Sequence, residues 1–137
     1  KKIENGKFWI AQSNEKEMAL AKRLCESLNG AEVLHQMSLI SLQDFMQTMN
    51  LVIAMDSLPL HLAGETGVPT FSIFGPSLAS KYKPIGNQHY AVQGVCPYRQ
   101  SFTKRCPLLR TCKTGACMKN FTAEELFTKF KSAAIIL

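Results

Sequence analysis

Leu51–Met55 (LVIAM) is a continuous apolar run that stops abruptly at Asp56-Ser57, the pattern of a strand buried on both faces of a parallel sheet. Around it, short apolar runs alternate with helical spacing. Lys7–Ala11 (KFWIA) predicts a short strand, and Asn14-Glu15-Lys16-Glu17 opens a helix, with Asn14 as N-cap and Glu17 at the capping-box position. Met18, Ala21, Leu24, Cys25 and Leu28 follow with helical spacing until Asn29-Gly30 ends the pattern. Ala31–Leu34 predicts a second strand. Ser41 with Asp44 repeats the capping-box signature and predicts a helix to about Met49. Beyond Asp56, Leu58–Thr66 predicts a short helix with Pro59 in its first turn and Gly67 past its end. Thr70–Phe74 (TFSIF) is the next strand, halted by Gly75-Pro76-Ser77.

Strands and helices thus alternate, with connections too short for anything but parallel crossovers. The expected fold is α/β, a Rossmann-like parallel sheet with helices on both faces, formed by a single domain over residues 1–137. After Ser77 the periodicity weakens. Gln88–Gln93 suits one more strand, and Cys96–Met118 reads as irregular loop within a Cys-rich basic segment, residues 94–119. Thr122-Ala123-Glu124-Glu125 is a third capping box, opening a helix whose Leu126, Phe127 and Phe130 are expected to face the core.

Charge refines this picture. The formal charge is +6, and no Asp or Glu lies between Glu65 and Glu124, where Lys81, Lys83, Arg99, Lys104, Arg105, Arg110, Lys113 and Lys119 fall. Such a region attracts phosphates, anionic lipid or nucleic acid, or else simply keeps a surface soluble. No apolar run approaches the roughly 20 residues that span a bilayer; the longest are Leu51–Met55 and Ala133–Leu137. Nothing near the start resembles a signal peptide, so a soluble, cytoplasmic protein is expected. The chain begins Lys1-Lys2-Ile3 without a Met, which we take to mark a fragment.

Ligands of open parallel sheets bind beyond the carboxyl ends of strands, often against a helix N-terminus. That rule selects Met55–His61 and Phe74–Ser77. Asp56, Ser57, exposed N–H groups and His61 would share a small volume suited to a sugar, ribose or phosphate; alternatively, Asp56 and Ser57 only cap the helix and His61 is a surface histidine. There is no G-x-G-x-x-G, no G-x-x-x-x-G-K-[ST] and no nucleophile elbow, which argues against a dinucleotide enzyme, a P-loop enzyme and a serine hydrolase.

The segments Asp56-Ser57-Leu58-Pro59-Leu60-His61-Leu62-Ala63, Gly67-Val68-Pro69-Thr70 and Phe74-Gly75-Pro76-Ser77 resemble the lipopolysaccharide heptosyltransferases of glycosyltransferase family 9. So do Cys96-Pro97, Lys104-Arg105-Cys106-Pro107, Cys117-Met118 and Thr122-Ala123-Glu124-Glu125-Leu126. The resemblance implies the C-terminal half of a GT-B fold, which binds a nucleotide-sugar donor, ADP-heptose, for transfer to a lipopolysaccharide core acceptor. It implies an inverting displacement with no cofactor and no metal demanded. Asp56, Ser57 and the following backbone would meet the donor's diphosphate and heptose, and His61 matches the histidine of that motif. Glu17 would meet the ribose and Met37 the adenine, although a capping Glu and a core Met are the plainer roles. Leu58 stands where the family usually has Gly, which puts the sugar in question. No catalytic residue is expected in this chain, since the acceptor base and a donor-phosphate lysine belong to an N-terminal domain outside it. Arg99, Lys104, Arg105 and Arg110 would attract a phosphorylated lipid acceptor at the inner-membrane surface. Nucleic acid is not an expected partner.

Cys96-x9-Cys106-x5-Cys112-x4-Cys117 lacks the paired C-x2-C of ordinary zinc sites. A reduced loop packed on the sheet is the first expectation, and a zinc site the second. A disulfide is disfavoured in the cytoplasm. Two other function classes stay open: a non-catalytic α/β ligand-binding domain, and a zinc-stabilised nucleic-acid-binding module, for which Tyr98 and Phe102 are few aromatics.

Overall fold

The computed structural model describes residues 6–133, over which strands and helices alternate; the Lys1 start and most of the Ala133–Leu137 run lie outside the described residues. By its internal contacts the chain divides into two compact units, Lys1–Leu39 and Ile40–Leu137.

In the first unit, β1 (Phe8–Ile10) leads through α1 (Glu15–Ser27) to β2 (Ala31–Val33), and the two strands pair in parallel with Phe8 opposite Ala31. Asn14 is the N-cap: its side chain accepts from the Glu17 N–H at 3.0 Å. Ala21 is buried, Met18 and Cys25 are half-buried, and Leu24 and Leu28 lie outward of them. Gly30, at φ +79°, turns the chain from α1 into β2 in a conformation that disfavours any side chain.

The second unit holds all of α2 (Leu39–Gln47) but its first residue and then runs β3 (Val52–Met55), α3 (Leu58–Glu65), β4 (Thr70–Phe74), α4 (Ala79–Tyr82) and β5 (His89–Gln93). It ends with α5 (Ala116–Lys119) and α6 (Ala123–Ser132). The strands form a parallel sheet in the order β3-β4-β5, with Ala54 opposite Ser72 and Ser72 opposite Ala91. Strand alternation gives β4 two buried faces. Phe74 packs with Leu60 of α3 and Ala79 of α4, and Ala54, Tyr82 and Ala91 surround them. Met46 of α2, Ala63 of α3 and Val68 form an adjoining cluster. On the opposite face, Phe71 stacks on Tyr90 (centroids 5.6 Å apart) and meets Phe130 of α6 edge-on at 5.3 Å. Helices therefore cover both faces of this sheet.

Several expectations need correction. The strand buried on both faces is β4, not β3: Ile53 and Met55 of β3 are 63% and 52% exposed, because β3 is an edge strand and Phe130 covers its neighbours instead. The α/β class with parallel strands stands, the described strands pairing as β1-β2 and as β3-β4-β5. The second helix starts at Leu39, directly after Ser38, rather than at a Ser41 cap. Phe127 is 54% exposed beneath the Lys131 ammonium, since a residue next to Leu126 points about 100° away around a helix. The Asn14 and Thr122 side-chain caps form, whereas Ser57 takes the N-cap position without a side-chain cap bond. Ser57 precedes α3 with Pro59 in its first turn, and Thr122 accepts from the Glu125 N–H at 3.1 Å.

Candidate functional site

Asp56 follows the last residue of β3, and Ser57 holds the extended N-cap conformation of α3 (φ −155°, ψ 167°) without capping it through its side chain. The Ser57 hydroxyl instead donates back to the Met55 carbonyl at 3.1 Å. The hydroxyl's lone pairs and the Leu58 N–H therefore stay available at the positive end of the helix. Pro59 supplies no N–H, so the turn offers fewer backbone donors than most helix starts. His61, one turn on, points Nε2 at the Asp56 carboxylate from 3.9 Å, with half of its side chain exposed. That separation is too long for a hydrogen bond and leaves both groups able to turn to a ligand. Leu58 carries a half-exposed side chain at the mouth of this junction. Asp56, Ser57, Leu58 and His61 are thus brought together as the chain order suggests.

Glu17 and Met37 belong to the other unit. The Glu17 Oε2 accepts from both the N–H and the hydroxyl of Ser13, each at 2.8 Å. These bonds, the Ser13 hydroxyl first, hold its carboxyl below the usual range, so it stays ionised. The Asn14 side chain also bonds to this carboxylate, and Glu17 remains exposed, so a capping and a ligand-binding role are compatible. Met37 is half-buried in the segment between β2 and α2.

At the carboxyl ends of β4 and β5, the Gly75–Leu78 loop is tied down from two sides. The Gln93 side chain accepts from the Ala79 N–H and donates to the Gly75 carbonyl, both at 2.8 Å. Across the loop, the Cys106 N–H donates to the Pro76 carbonyl at 2.6 Å, and the Leu78 N–H to the Lys104 carbonyl at 2.8 Å. Gln93 does not stand out along the chain; its one signal is a polar residue ending a strand on the ligand-bearing edge of a sheet. Arg99, Lys104, Arg105 and Arg110 are all exposed. Arg99 sits at φ +54°, and the Arg105 guanidinium lies over the Tyr82 ring at 5.5 Å. Lys104 and Arg105 are held by the backbone ties just described, leaving their side chains to solvent.

Cys96, Cys106, Cys112 and Cys117 line a single cavity of about 210 Å³, and all are free thiols. Hydrogen bonds from the Gly115 backbone, then from Thr114, lower the Cys112 thiol's pKa. Burial, followed by the neighbouring Cys96, Cys112 and Cys106 sulfurs, raises that of Cys117. Among the described residues, no three His, Cys, Asp or Glu side chains are placed to hold a metal ion. No helix among them is long and apolar enough to cross a membrane.

Comparison with curated proteins finds no match. Among solved structures, E. coli heptosyltransferase WaaC with ADP is similar at a TM-score of 0.72 and 19% identity, over 93% of this chain. The chain spans 34%, about a third, of that protein's length. The likeness establishes the fold: an α/β arrangement of parallel strands alternating with helices, as in one half of a GT-B enzyme. Residues 1–111 match the model of glycosyltransferase family 9 (heptosyltransferase). The match reaches from β1 into the Cys-rich loop, and this chain therefore belongs to glycosyltransferase family 9, the heptosyltransferase family.

Proposed function

We propose that this chain is the donor-binding part of a GT-B glycosyltransferase that transfers heptose from ADP-heptose to a lipopolysaccharide core acceptor. The carrying observation is the junction between β3 and α3 in a family 9 chain. An uncapped helix start, Ser57 and the loosely paired Asp56 and His61 stand at the carboxyl edge of a parallel sheet. The similar E. coli heptosyltransferase WaaC carries ADP, which favours an ADP-linked donor.

In this mechanism the acceptor hydroxyl oxygen attacks the anomeric carbon of the donor sugar. The bond from that carbon to the diphosphate oxygen breaks, and ADP departs with the electron pair. The acceptor's proton passes to a carboxylate outside this chain. This chain's residues bind and neutralise. Ser57 and the α3 N-terminus meet the diphosphate, where negative charge grows in the transition state. Asp56 and His61 orient the sugar hydroxyls. Glu17 binds the ribose, Met37 packs on the adenine, and Leu58 limits the space around the sugar. Arg99, Lys104, Arg105 and Arg110 attract a phosphorylated acceptor at the inner-membrane surface.

Titrating the isotope-labelled chain with ADP, GDP, UDP and CMP by NMR tests this proposal, with Asp56→Ala as control. The expected result is shifts at Glu17, Met37 and Asp56–His61 with ADP alone, weakened in the variant. Equal responses to all four nucleotides, or shifts confined to other surfaces, would remove the donor site from these residues.

A further inference from the structure

The Cys-rich loop leaves a cavity of about 210 Å³ against Gly75 and Pro76, and this cavity shares no residue with the Asp56–His61 junction. Its wall is almost wholly apolar, with Tyr98, Phe102, Leu109 and Met118 contributing to it, and the thiols add groups that hydrogen-bond only weakly. The loop is tied down where it meets the sheet. The Cys106 N–H donates to the Pro76 carbonyl at 2.6 Å, and the Leu78 N–H to the Lys104 carbonyl at 2.8 Å. Tyr98 and Leu109 line the cavity, yet they are 53% and 45% exposed. They therefore stand at its mouth, which opens to solvent.

A sugar or nucleotide placed in this space would give up its hydrogen bonds to water without replacement, whereas an apolar group gains by entering. A cavity of about 150 Å³ walled by aliphatic and aromatic side chains accepts a benzene ring. At about 210 Å³, this one has room for a ring or a short stretch of hydrocarbon chain. Charge at the mouth narrows the class further. Lys119 lines the cavity, Arg110 follows Leu109 and Lys113 follows Cys112, and all three cations are exposed. Among the described residues no carboxylate pairs with them, and none occurs between Glu65 and Glu124. An apolar pocket with unpaired cations at and beside its mouth fits an amphiphile, with hydrocarbon inside and an anion outside. The phospholipids of an anionic leaflet present both parts.

We propose that this cavity takes part of one acyl chain of an anionic phospholipid while Arg110, Lys113 and Lys119 meet its phosphate, docking the loop on a membrane surface. The proposal deepens the acceptor reading above and rests on it for the anionic lipid surface, but it makes no use of the donor site.

Flotation of the protein with vesicles of phosphatidylcholine and phosphatidylglycerol in equal parts, against phosphatidylcholine alone, tests it. Binding is expected to the mixture only. It should weaken by about 25-fold in R110Q/K113Q, at about fivefold for each cation near an anionic leaflet. Surface charge alone would do as much, so the cavity variants decide. Ala116→Phe fills the cavity and Leu109→Ser makes its mouth polar; each should weaken binding by about tenfold, with the far-ultraviolet circular dichroism unchanged. Should Ala116→Phe unfold, Leu109→Ser at its half-exposed position and the unaltered protein still give the answer. In the unaltered protein, the mixed vesicles should slow alkylation of Cys112, which lines the cavity, and leave that of Cys25 in the other unit as it was. Glycerol phosphate, a headgroup without hydrocarbon, should not protect Cys112. Absence of binding to the mixed vesicles overturns the proposal. So does binding that Leu109→Ser leaves unchanged, which is attraction by surface charge only, and so does equal protection of Cys112 by glycerol phosphate. Vesicle binding that persists in a protein giving no response to ADP removes the donor reading and leaves this one standing.

Discussion

Replacing Gly94 with alanine probes whether the Cys-rich loop is seated on the sheet. Gly94 ends the strand region of β5; its N–H donates to the Phe74 carbonyl at 2.7 Å, and its φ is one that alanine can adopt. The added methyl would meet only space constraints, and they are severe. It would collide with the Cys117 carbonyl oxygen, approach the Cys117 carbonyl carbon to 2.9 Å and reach within 3.1 Å of a Phe121 ring carbon. Two of these obstacles are backbone, so no rotamer change relieves them, and residues 115–121 must lift from the β5 end. Overpacking of this kind costs about 1–3 kcal/mol, and an immobile backbone obstacle places it at the upper end. For a domain of this size, about 3 kcal/mol lowers Tm by about 10 °C. Gly67→Ala is the control. Its φ is +77° and nothing lies within 4 Å of an added Cβ, so only the left-handed backbone penalty of about 1 kcal/mol applies. Circular dichroism melts of both variants, with alkylation of Cys117 as a local readout, make the comparison. The expected order is unaltered chain, then Gly67→Ala, then Gly94→Ala, with faster Cys117 alkylation only in the last. If Gly94→Ala melts no lower than Gly67→Ala, the loop is not seated on β5 as described.

Three further outcomes are expected. Burial first, and the Lys83 charge second, hold the His89 imidazole below its usual pKa, so the unfolded chain binds that proton more readily. Stability is therefore complete above the unfolded value of about 6.5 and falls as pH drops below it. Urea unfolding from pH 8 to 5 should show this slope and His89→Gln should flatten it; an unchanged slope would exclude His89 as its source. Phe74 is 0% exposed, and Phe74→Ala should cost about 3–5 kcal/mol, read by the same unfolding; a loss below about 1 kcal/mol would contradict its place in the core. Leu58→Gly removes a half-exposed side chain at the first position of α3, costing at most about 1 kcal/mol of stability. ADP-heptose affinity by calorimetry should rise relative to that of ADP because Leu58 crowds the sugar, and a fall in that ratio would refute the role.

Local chemistry makes much of this protein legible along the chain. Asn14 and Thr122 cap their helices because a short acceptor side chain reaches an N–H three residues on, an interaction complete within one turn. The Asp56–His61 cluster is readable for the same reason: a strand end, a cap and one helical turn lie within six residues. The helices α4 and α5 are not readable, because four residues are too few for a periodic pattern to register.

Residue order alone dictates the alternation of strands and helices, most of the caps, the parallel sense of the crossovers and the family. All of these follow from neighbours along the chain or from spaced motifs. Long-range packing sets whatever depends on which elements lie side by side. It makes β4 rather than β3 the strand buried on both faces, because a run as apolar as Leu51–Met55 does not encode its rank in the sheet. It turns Phe127 outward while Phe130 meets Phe71, and it gives Gln93 the task of bracing the Gly75 loop. It also gathers Cys96, Cys106, Cys112 and Cys117 around one cavity. Their spacing matches no common ligand motif, and only the closure of the loop against Pro76, Leu78 and Gly94 sets the distances between them.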